Sequence, residues 1–156
     1  MAGRSQRRRR GRSRTASPDS SAAASWGATR ADVSWARLDR RARMERILER
    51  DGPTCVWCAR TIGEGLVEAT TEHVVPRIKG GPSWIENEVA ACRRCNGRRG
   101  HRTPAEWADE CEGLGWEPDR ARLVRVLRSL DAAIAERGGQ RRARPYVASQ
   151  LRRLAD

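Results

Sequence analysis

The sequence has no phenylalanine and no long apolar run, and both absences limit what it can build. Aromatic residues make up 4% of the 156 residues and hydrophobic residues 38%. A chain so poor in apolar side chains has little material for a large core, and a small fold of this kind gains stability from a staple such as a bound metal. Since no stretch of about 18 or more apolar residues occurs, no membrane span is expected.

Lysine is almost absent as well, because Lys79 is the only one in the chain. The net charge is nevertheless +12, with 32 basic residues against 20 acidic ones. A GC-rich genome would explain arginine in place of lysine, but it would not explain the excess of basic residues. That excess favours a polyanionic partner, most simply nucleic acid.

The first 30 residues are of low complexity and carry much of this charge. They hold eight arginines and one aspartate, which gives +7 and leaves +5 for the rest of the chain. Such a segment is expected to be a disordered tail. Arg7 to Arg10 either contact phosphates or are merely solvated. Because no apolar stretch follows the charges, no secretory signal is expected, and we predict a cytoplasmic protein with reduced or metal-bound cysteines.

The remaining sequence predicts an α+β fold. An N-terminal helix is expected over about residues 34–50, within a segment 31–53 that ends at Gly52 and Pro53. Residues 54–102 read as a small core in which "LVEATTEHVV" and "NEVAAC" are strands and "RRCNGRRG" opens a helix. Residues 103–156 read as a helical extension, with a capping box at Thr103 and Glu106, a long helix over about 118–137 and a short one over about 146–154.

Four of the five cysteines form two C-x-x-C pairs, Cys55 with Cys58 and Cys92 with Cys95, separated by 33 residues. Zn²⁺ takes four thiolates tetrahedrally, and such a closed site is structural rather than hydrolytic. A redox C-x-x-C needs no second pair, and disulfides suit another compartment. We therefore predict one structural zinc ion whose binding energy contributes to folding. Cys111 is left over and is expected to be a buried residue of a helix.

Three residues offer chemistry: Glu72 and His73 lie between the two cysteine pairs, and Asn96 immediately follows the second pair. A carboxylate, an imidazole and an amide oxygen around one point suit a hard cation and a water molecule. A neutral imidazole can take a proton from an attacking water near neutral pH. Taken singly, a histidine at a strand end is more often structural, and an asparagine after a zinc knuckle can simply adopt a left-handed turn.

Residues 55–100 resemble the HNH endonucleases that carry four zinc-binding cysteines. The resemblance rests on "EHVVP", "KGG", "NEVAAC" and "CRRCNGRRG", which occur in the order of the family signature. It implies a small ββα-metal core with structural zinc at its base, flanked here by α-helices. It also implies metal-dependent phosphodiester hydrolysis that leaves 5′-phosphate and 3′-hydroxyl ends.

The resemblance assigns a role to individual residues. His73 would be the general base, Asn87 would fasten the loop and orient His73, and Glu72 with Asn96 would hold one Mg²⁺ or Mn²⁺ ion. Glu72 stands where the family more commonly has aspartate, and Arg99 stands where it often has lysine. From their position beside this site, four arginines either contact the DNA backbone with little sequence specificity or form a solvated helix face, and the resemblance itself assigns a phosphate contact to Arg99. They are Arg93, Arg94, Arg98 and Arg99.

Two other functions stay open from the sequence. One is a catalytically silent zinc-ribbon module that binds nucleic acid, and the other is a zinc-stapled scaffold for protein contacts. Glu72, His73 and Asn96 favour the nuclease because a zinc ribbon does not need them, and the net charge favours either nucleic-acid function over the scaffold. The oligomeric state and the biological target of the DNA cleavage are not determined by the sequence.

Overall fold

Among the described residues, the first helix begins directly after a capping aspartate. The computed structural model describes residues 38–63 and 67–155, so the predicted tail at residues 1–30 lies outside the described residues. Helix α1 spans Arg40–Asp51, and the carboxylate of Asp39 accepts a hydrogen bond from the amide of Ala42. Asp39 takes an extended backbone conformation and caps the helix, and the predicted start near residue 34 lies outside the described residues. The predicted end at Gly52 is confirmed.

Two short antiparallel strands form the centre of the fold. Strand β1 spans Ala69–His73 and strand β2 spans Glu88–Cys92, with Ala69 opposite Cys92 and His73 opposite Glu88. Both strands are shorter than the segments predicted for them. Helix α2, Arg93–Arg99, follows β2 directly. The hairpin lies between α1 and α2, which explains why every residue of β2 is buried.

The connection between the strands is held by the side chain of Asn87, which is fully buried. Its Oδ1 accepts a hydrogen bond from the amide of Val75 (2.8 Å), and its Nδ2 donates to the carbonyls of Val75 (3.0 Å) and Pro82 (2.9 Å). Gly81 packs against this arrangement so closely that a Cβ atom there would lie 1.9 Å from the Val75 oxygen. The second glycine of "KGG" is therefore required by close packing.

Three helices follow the hairpin unit. Helix α3 spans Pro104–Gly113 and begins with the predicted capping box, since Thr103 and Glu106 exchange hydrogen bonds. Helix α4 spans Arg120–Arg137 and α5 spans Ala143–Ala155, which is longer than predicted. Helices α4 and α5 pack against each other, and their apolar faces join one core with the hairpin and both tryptophans Trp57 and Trp107. No helix in the described residues is both long and apolar enough to cross a membrane.

The predicted α+β fold with a small ββα core is confirmed. A two-stranded hairpin is marginal alone in water, and here helices cover both of its faces. The core thereby fixes the positions of the strand ends and of the first turn of α2, where the predicted functional residues lie.

Candidate active site and metal centre

Four cysteine sulfurs converge at one end of the hairpin. The Sγ atoms of Cys55, Cys58, Cys92 and Cys95 all lie within 4.8 Å of one another, and those of Cys58 and Cys92 are 3.9 Å apart. Four thiolates at about 2.3 Å from a tetrahedral Zn²⁺ ion lie roughly 3.8 Å apart. The residues therefore fit a structural zinc ion, and all four of the predicted ligands belong to the cluster.

The local backbone geometry brings these four sulfurs to one point. An isolated bridge between Thr54 and Thr61 closes the first knuckle, and Cys92 ends β2 while capping α2. The amide of Cys95 lies 3.4 Å from Cys92 Sγ. A hydrogen bond from the Cys95 thiol lowers the pKa of Cys55 to about 5, and the pKa of Cys95 is raised in turn. Burial also raises the pKa of Cys58, so these contacts stabilise one thiolate, at Cys55, among the four sulfurs.

Cys111 is the fifth cysteine and stays apart from this cluster. It is fully buried in α3, and burial raises the pKa of its thiol to about 12. The prediction that it is an ordinary buried residue of a helix is confirmed.

Glu72 and His73 are neighbours in sequence but point to opposite faces of β1, as successive residues of a strand do. Glu72 shares its face with Thr70, and both contact α2, through Arg99 and Asn96 respectively. His73 lies on the other face, opposite Glu88 and on the side where Arg43 of α1 reaches the hairpin. The three predicted residues therefore do not converge on a single shared hydrogen-bonding centre.

Both oxygens of the Glu72 carboxylate already have partners within the protein. Its Oε1 forms an ion pair with Arg99 Nη1, and its Oε2 accepts a hydrogen bond from Trp57 Nε1 at 2.6 Å. Glu72 is 5% exposed and Arg99 is 2% exposed. Burial raises the pKa of Glu72, while Arg99 and Trp57 act in the opposite direction.

This ion pair bears on the predicted divalent-ion site. Asn96 donates its amide nitrogen to Thr70 Oγ1 at 3.0 Å, which leaves its oxygen as the atom with ligand capacity. An ion at Glu72 would lie beside the guanidinium of Arg99, and two cations repel each other strongly where little water is present. As the structure arranges them, Glu72 and Asn96 do not fit a divalent ion, and their assignment as ligands stays a prediction.

His73 occupies a partly covered site. Its side chain is 26% exposed, and its Nε2 is buried without a hydrogen-bond partner among the described residues, 3.6 Å from Glu88 Oε1. Burial lowers the pKa of His73, the charge of Glu88 opposes this, and Arg77 and Arg43 lower the pKa further. The imidazole is thus neutral near pH 7, which is the form a general base needs. Asn87 lies next to Glu88 in the chain, and its backbone carbonyl accepts a hydrogen bond from the amide of Val74 (2.8 Å), which fixes the backbone that follows His73.

The four arginines predicted to bind DNA lie in three different environments. Arg93 is exposed and pairs with Glu68 at 2.8 Å. Arg94 and Arg98, one helical turn apart on α2, both lie over the ring of Trp116, at 4.5 and 5.4 Å from its centroid. Arg99 points inward, where it donates to Glu72, to the carbonyls of His73 and Val74, and to that of Arg102. Arg99 has no exposed surface to offer a phosphate.

Sequence reasoning missed four residues that shape this site. They are Arg43, Trp57, Glu88 and Trp116. Glu88 and Arg43 form a two-bonded ion pair, with distances of 2.9 and 2.5 Å, behind His73. The sequence did show that Glu88 is an acidic residue next to Asn87. Its position opposite His73, however, depends on the strand register.

Comparison with known proteins agrees with this description. A family model described as HNH endonuclease matches residues 55–111, which contain both cysteine pairs, the hairpin and α2. This match covers 57 of the 156 residues. Among solved structures, the chain is similar to the Type II-C Cas9 enzyme from Actinomyces naeslundii, at 23% identity and a TM-score of 0.44. The match covers 73% of this chain and 12% of the Cas9 chain. No curated protein matches the chain significantly.

Proposed function

We propose that this protein is a DNA endonuclease that hydrolyses phosphodiester bonds, with His73 as its general base. The observation that carries the proposal is the setting of His73 within the segment that matches the HNH family model. The imidazole lies at the end of β1, is reachable by water, and has a lowered pKa that keeps it neutral near pH 7. The family match implies nuclease chemistry, and this residue has the protonation state that the chemistry needs.

In the proposed reaction, His73 takes a proton from a water molecule and the resulting hydroxide attacks phosphorus. The bond from phosphorus to the leaving 3′-oxygen breaks on the opposite side, and that oxygen takes a proton from solvent. Asn87 keeps the backbone after His73 in place, through its hydrogen bonds to Val75 and Pro82. A requirement for Mg²⁺ or Mn²⁺ is implied by the family and is part of the proposal. If Glu72 and Asn96 supply its ligands, Arg99 must first leave Glu72.

The zinc ion would act only on the fold. Held by Cys55, Cys58, Cys92 and Cys95, it would tie the first knuckle to the junction of β2 and α2, from which Asn96 and Arg99 project. A zinc ion closed by four sulfurs has no open position for water or phosphate. The hydrolytic chemistry is therefore assigned to the opposite end of the hairpin.

The proposed substrate is double-stranded DNA bound through its backbone. Arg94 and Arg98 are exposed members of the predicted arginine set. Both project from α2 and lie over the ring of Trp116, which holds them in a fixed arrangement. The net charge of +12 supports binding that depends on phosphate contacts and falls with salt. One active site in each chain predicts nicks rather than double-strand breaks, unless two chains act together.

One observation favours a second function, that of a catalytically silent zinc-ribbon module that binds nucleic acid. The Arg99–Glu72 ion pair occupies the carboxylate that the family pattern assigns to a divalent ion. A module that only binds DNA would tolerate this loss, since its zinc site and exposed arginines would be unaffected.

A plasmid assay separates the two functions. Wild type, His73→Ala and His101→Ala are incubated with supercoiled plasmid and Mg²⁺ or Mn²⁺, and zinc content and DNA binding are measured on each. His101 is exposed and is the only other histidine, so its variant is a matched control. The nuclease predicts nicking by wild type and His101→Ala, none by His73→Ala, and one zinc ion in all three. Binding without nicking by any of them would establish the silent module instead.

A further inference from the structure

Glu88 faces the proposed general base across the hairpin. It is the register partner of His73, so the two side chains share one face of the sheet. Glu88 Oε1 lies 3.6 Å from His73 Nε2, and this nitrogen is buried without a hydrogen-bond partner among the described residues. A buried donor in this position costs stability unless a partner completes it.

The carboxylate of Glu88 is held in place from behind. Arg43 of α1 donates from Nε to Oε2 at 2.9 Å and from Nη2 to Oε1 at 2.5 Å. The Glu88 side chain is 3% exposed. Arg50 lies two helical turns after Arg43 in α1 and donates a hydrogen bond to the backbone carbonyl of Glu88 at 2.6 Å. Helix α1 thus fixes both the backbone and the carboxylate of Glu88 beside the imidazole.

We propose that Glu88 is a positioning residue that orients His73 by accepting a hydrogen bond from its Nε2–H. This proposal rests on the proposed nuclease function. A small torsion of either side chain brings 3.6 Å to the usual distance of about 2.9 Å. With the proton on Nε2, the nitrogen that takes a proton from water is Nδ1. When that proton arrives, the imidazolium lies against a carboxylate, as in other general bases that are oriented by an acid.

The alternative is that Glu88 serves only as the partner of Arg43 in docking α1. The double variant Arg43→Met/Glu88→Leu removes the ion pair as a unit and leaves no unpaired buried charge. Its matched control is Glu86→Leu/Arg137→Met, which removes a second ion pair of 2.7 Å, two residues from Glu88, whose arginine is covered to the same degree as Arg43. Both variants lose one ion pair, and only the first removes the carboxylate that faces His73.

Two readouts are compared in a His101→Gln background, in which His73 is the only histidine. The first is the ¹⁵N NMR signature of the imidazole tautomer, recorded above the ordinary imidazole pKa of about 6.5. The second is kcat for plasmid nicking. We expect wild type and the control to show the Nε2–H tautomer and kcat values within a few-fold of each other. The Arg43→Met/Glu88→Leu variant should show mixed tautomers and a kcat lowered by about 100-fold or more.

Retention of the Nε2–H tautomer and of kcat in Arg43→Met/Glu88→Leu would overturn the proposal, as would an equal loss in the control. Zinc content and amide-proton dispersion establish that each variant is folded. If Arg43→Met/Glu88→Leu unfolds, Glu88→Gln in the same background replaces it, because Gln keeps the shape of Glu while it removes the charge and converts one carboxylate oxygen into an amide donor. The NMR readout needs no cleavage, so a wild type with the predicted tautomer but no nicking would refute the nuclease and not the Glu88–His73 contact.

Discussion

Glu72 and Arg99 form an ion pair in the interior between β1 and α2, and Trp57 completes the hydrogen bonding of the carboxylate. Arg99 also donates to the carbonyls of His73 and Val74, so the pair fixes the end of β1 where the proposed general base lies. A residue expected to meet a phosphate and a residue expected to hold a cation instead neutralise each other. The pair has a structural role in this arrangement.

The first prediction concerns the stability that this pair contributes. Glu72→Gln leaves the Arg99 charge buried without its counterion, and breaking a buried pair in this way costs about 3–5 kcal/mol. The free energy of unfolding, measured with denaturant at saturating zinc, should fall by that amount. Glu68→Gln is the control, because Glu68 pairs with Arg93 at the surface and its loss should cost less than about 1 kcal/mol. Equal stabilities for the two variants would show that Glu72 is free to act elsewhere.

A second prediction concerns the cysteine cluster. Cys58→Ser removes one zinc ligand, and since structural zinc contributes roughly 10 kcal/mol or more, the variant should lose both zinc and cooperative unfolding. Cys111→Ala removes a buried thiol of α3 outside the cluster and should keep one zinc ion per chain. Elemental analysis with circular dichroism checks both. A folded, zinc-loaded Cys58→Ser would mean that the four sulfurs do not form the metal site.

The pH dependence of nicking is a third prediction. Burial, with help from Arg77 and Arg43, lowers the pKa of His73 below its ordinary value of 6.5. Because the neutral imidazole is the proposed active form, the rate should fall as the solution becomes acidic, with its midpoint below about pH 6.5. Protonation of His73 also opposes folding in the same acidic range, since its folded pKa lies below its unfolded one.

The measurement is a nicking rate between about pH 5 and 8 at constant ionic strength, with zinc content determined at each pH. His101→Ala should follow the same profile, because its imidazole is exposed and has no role in the proposed reaction. A midpoint at or above 6.5 would contradict the assignment of a buried, neutral His73 as the base.

A fourth prediction concerns DNA binding through α2. Arg94→Gln/Arg98→Gln removes two cations that lie over Trp116, so the slope of log affinity against log salt concentration should fall by about 2. Arg125→Gln/Arg128→Gln removes the same charge from exposed positions of α4 and should leave the slope nearly unchanged. Fluorescence anisotropy with a short duplex over about 50–200 mM salt measures both. Equal losses would mean that net charge alone governs binding.

Much of the architecture is predictable from local sequence. The spacing of Cys55, Cys58, Cys92 and Cys95 predicts the metal cluster, because two C-x-x-C knuckles each present two sulfurs on one side of a turn. Thr103 and Glu106 predict the start of α3 because a capping box is purely local. The start of α1 shows the limit of such patterns, since apolar periodicity runs past the residue whose side chain caps the helix.

The strand register and the assignment of each side chain to a face of the hairpin depend on tertiary structure. Residues 74–87 separate the strands, and no short turn with a fixed geometry sets their register. Only folding therefore places Glu88 opposite His73 and turns Arg99 inward to Glu72. The sequence alone determined the zinc ligands, the capping box of α3 and the HNH pattern, because each consists of short motifs of neighbouring residues. The tertiary structure decided which charges pair with one another, because ion pairs depend on which elements pack face to face.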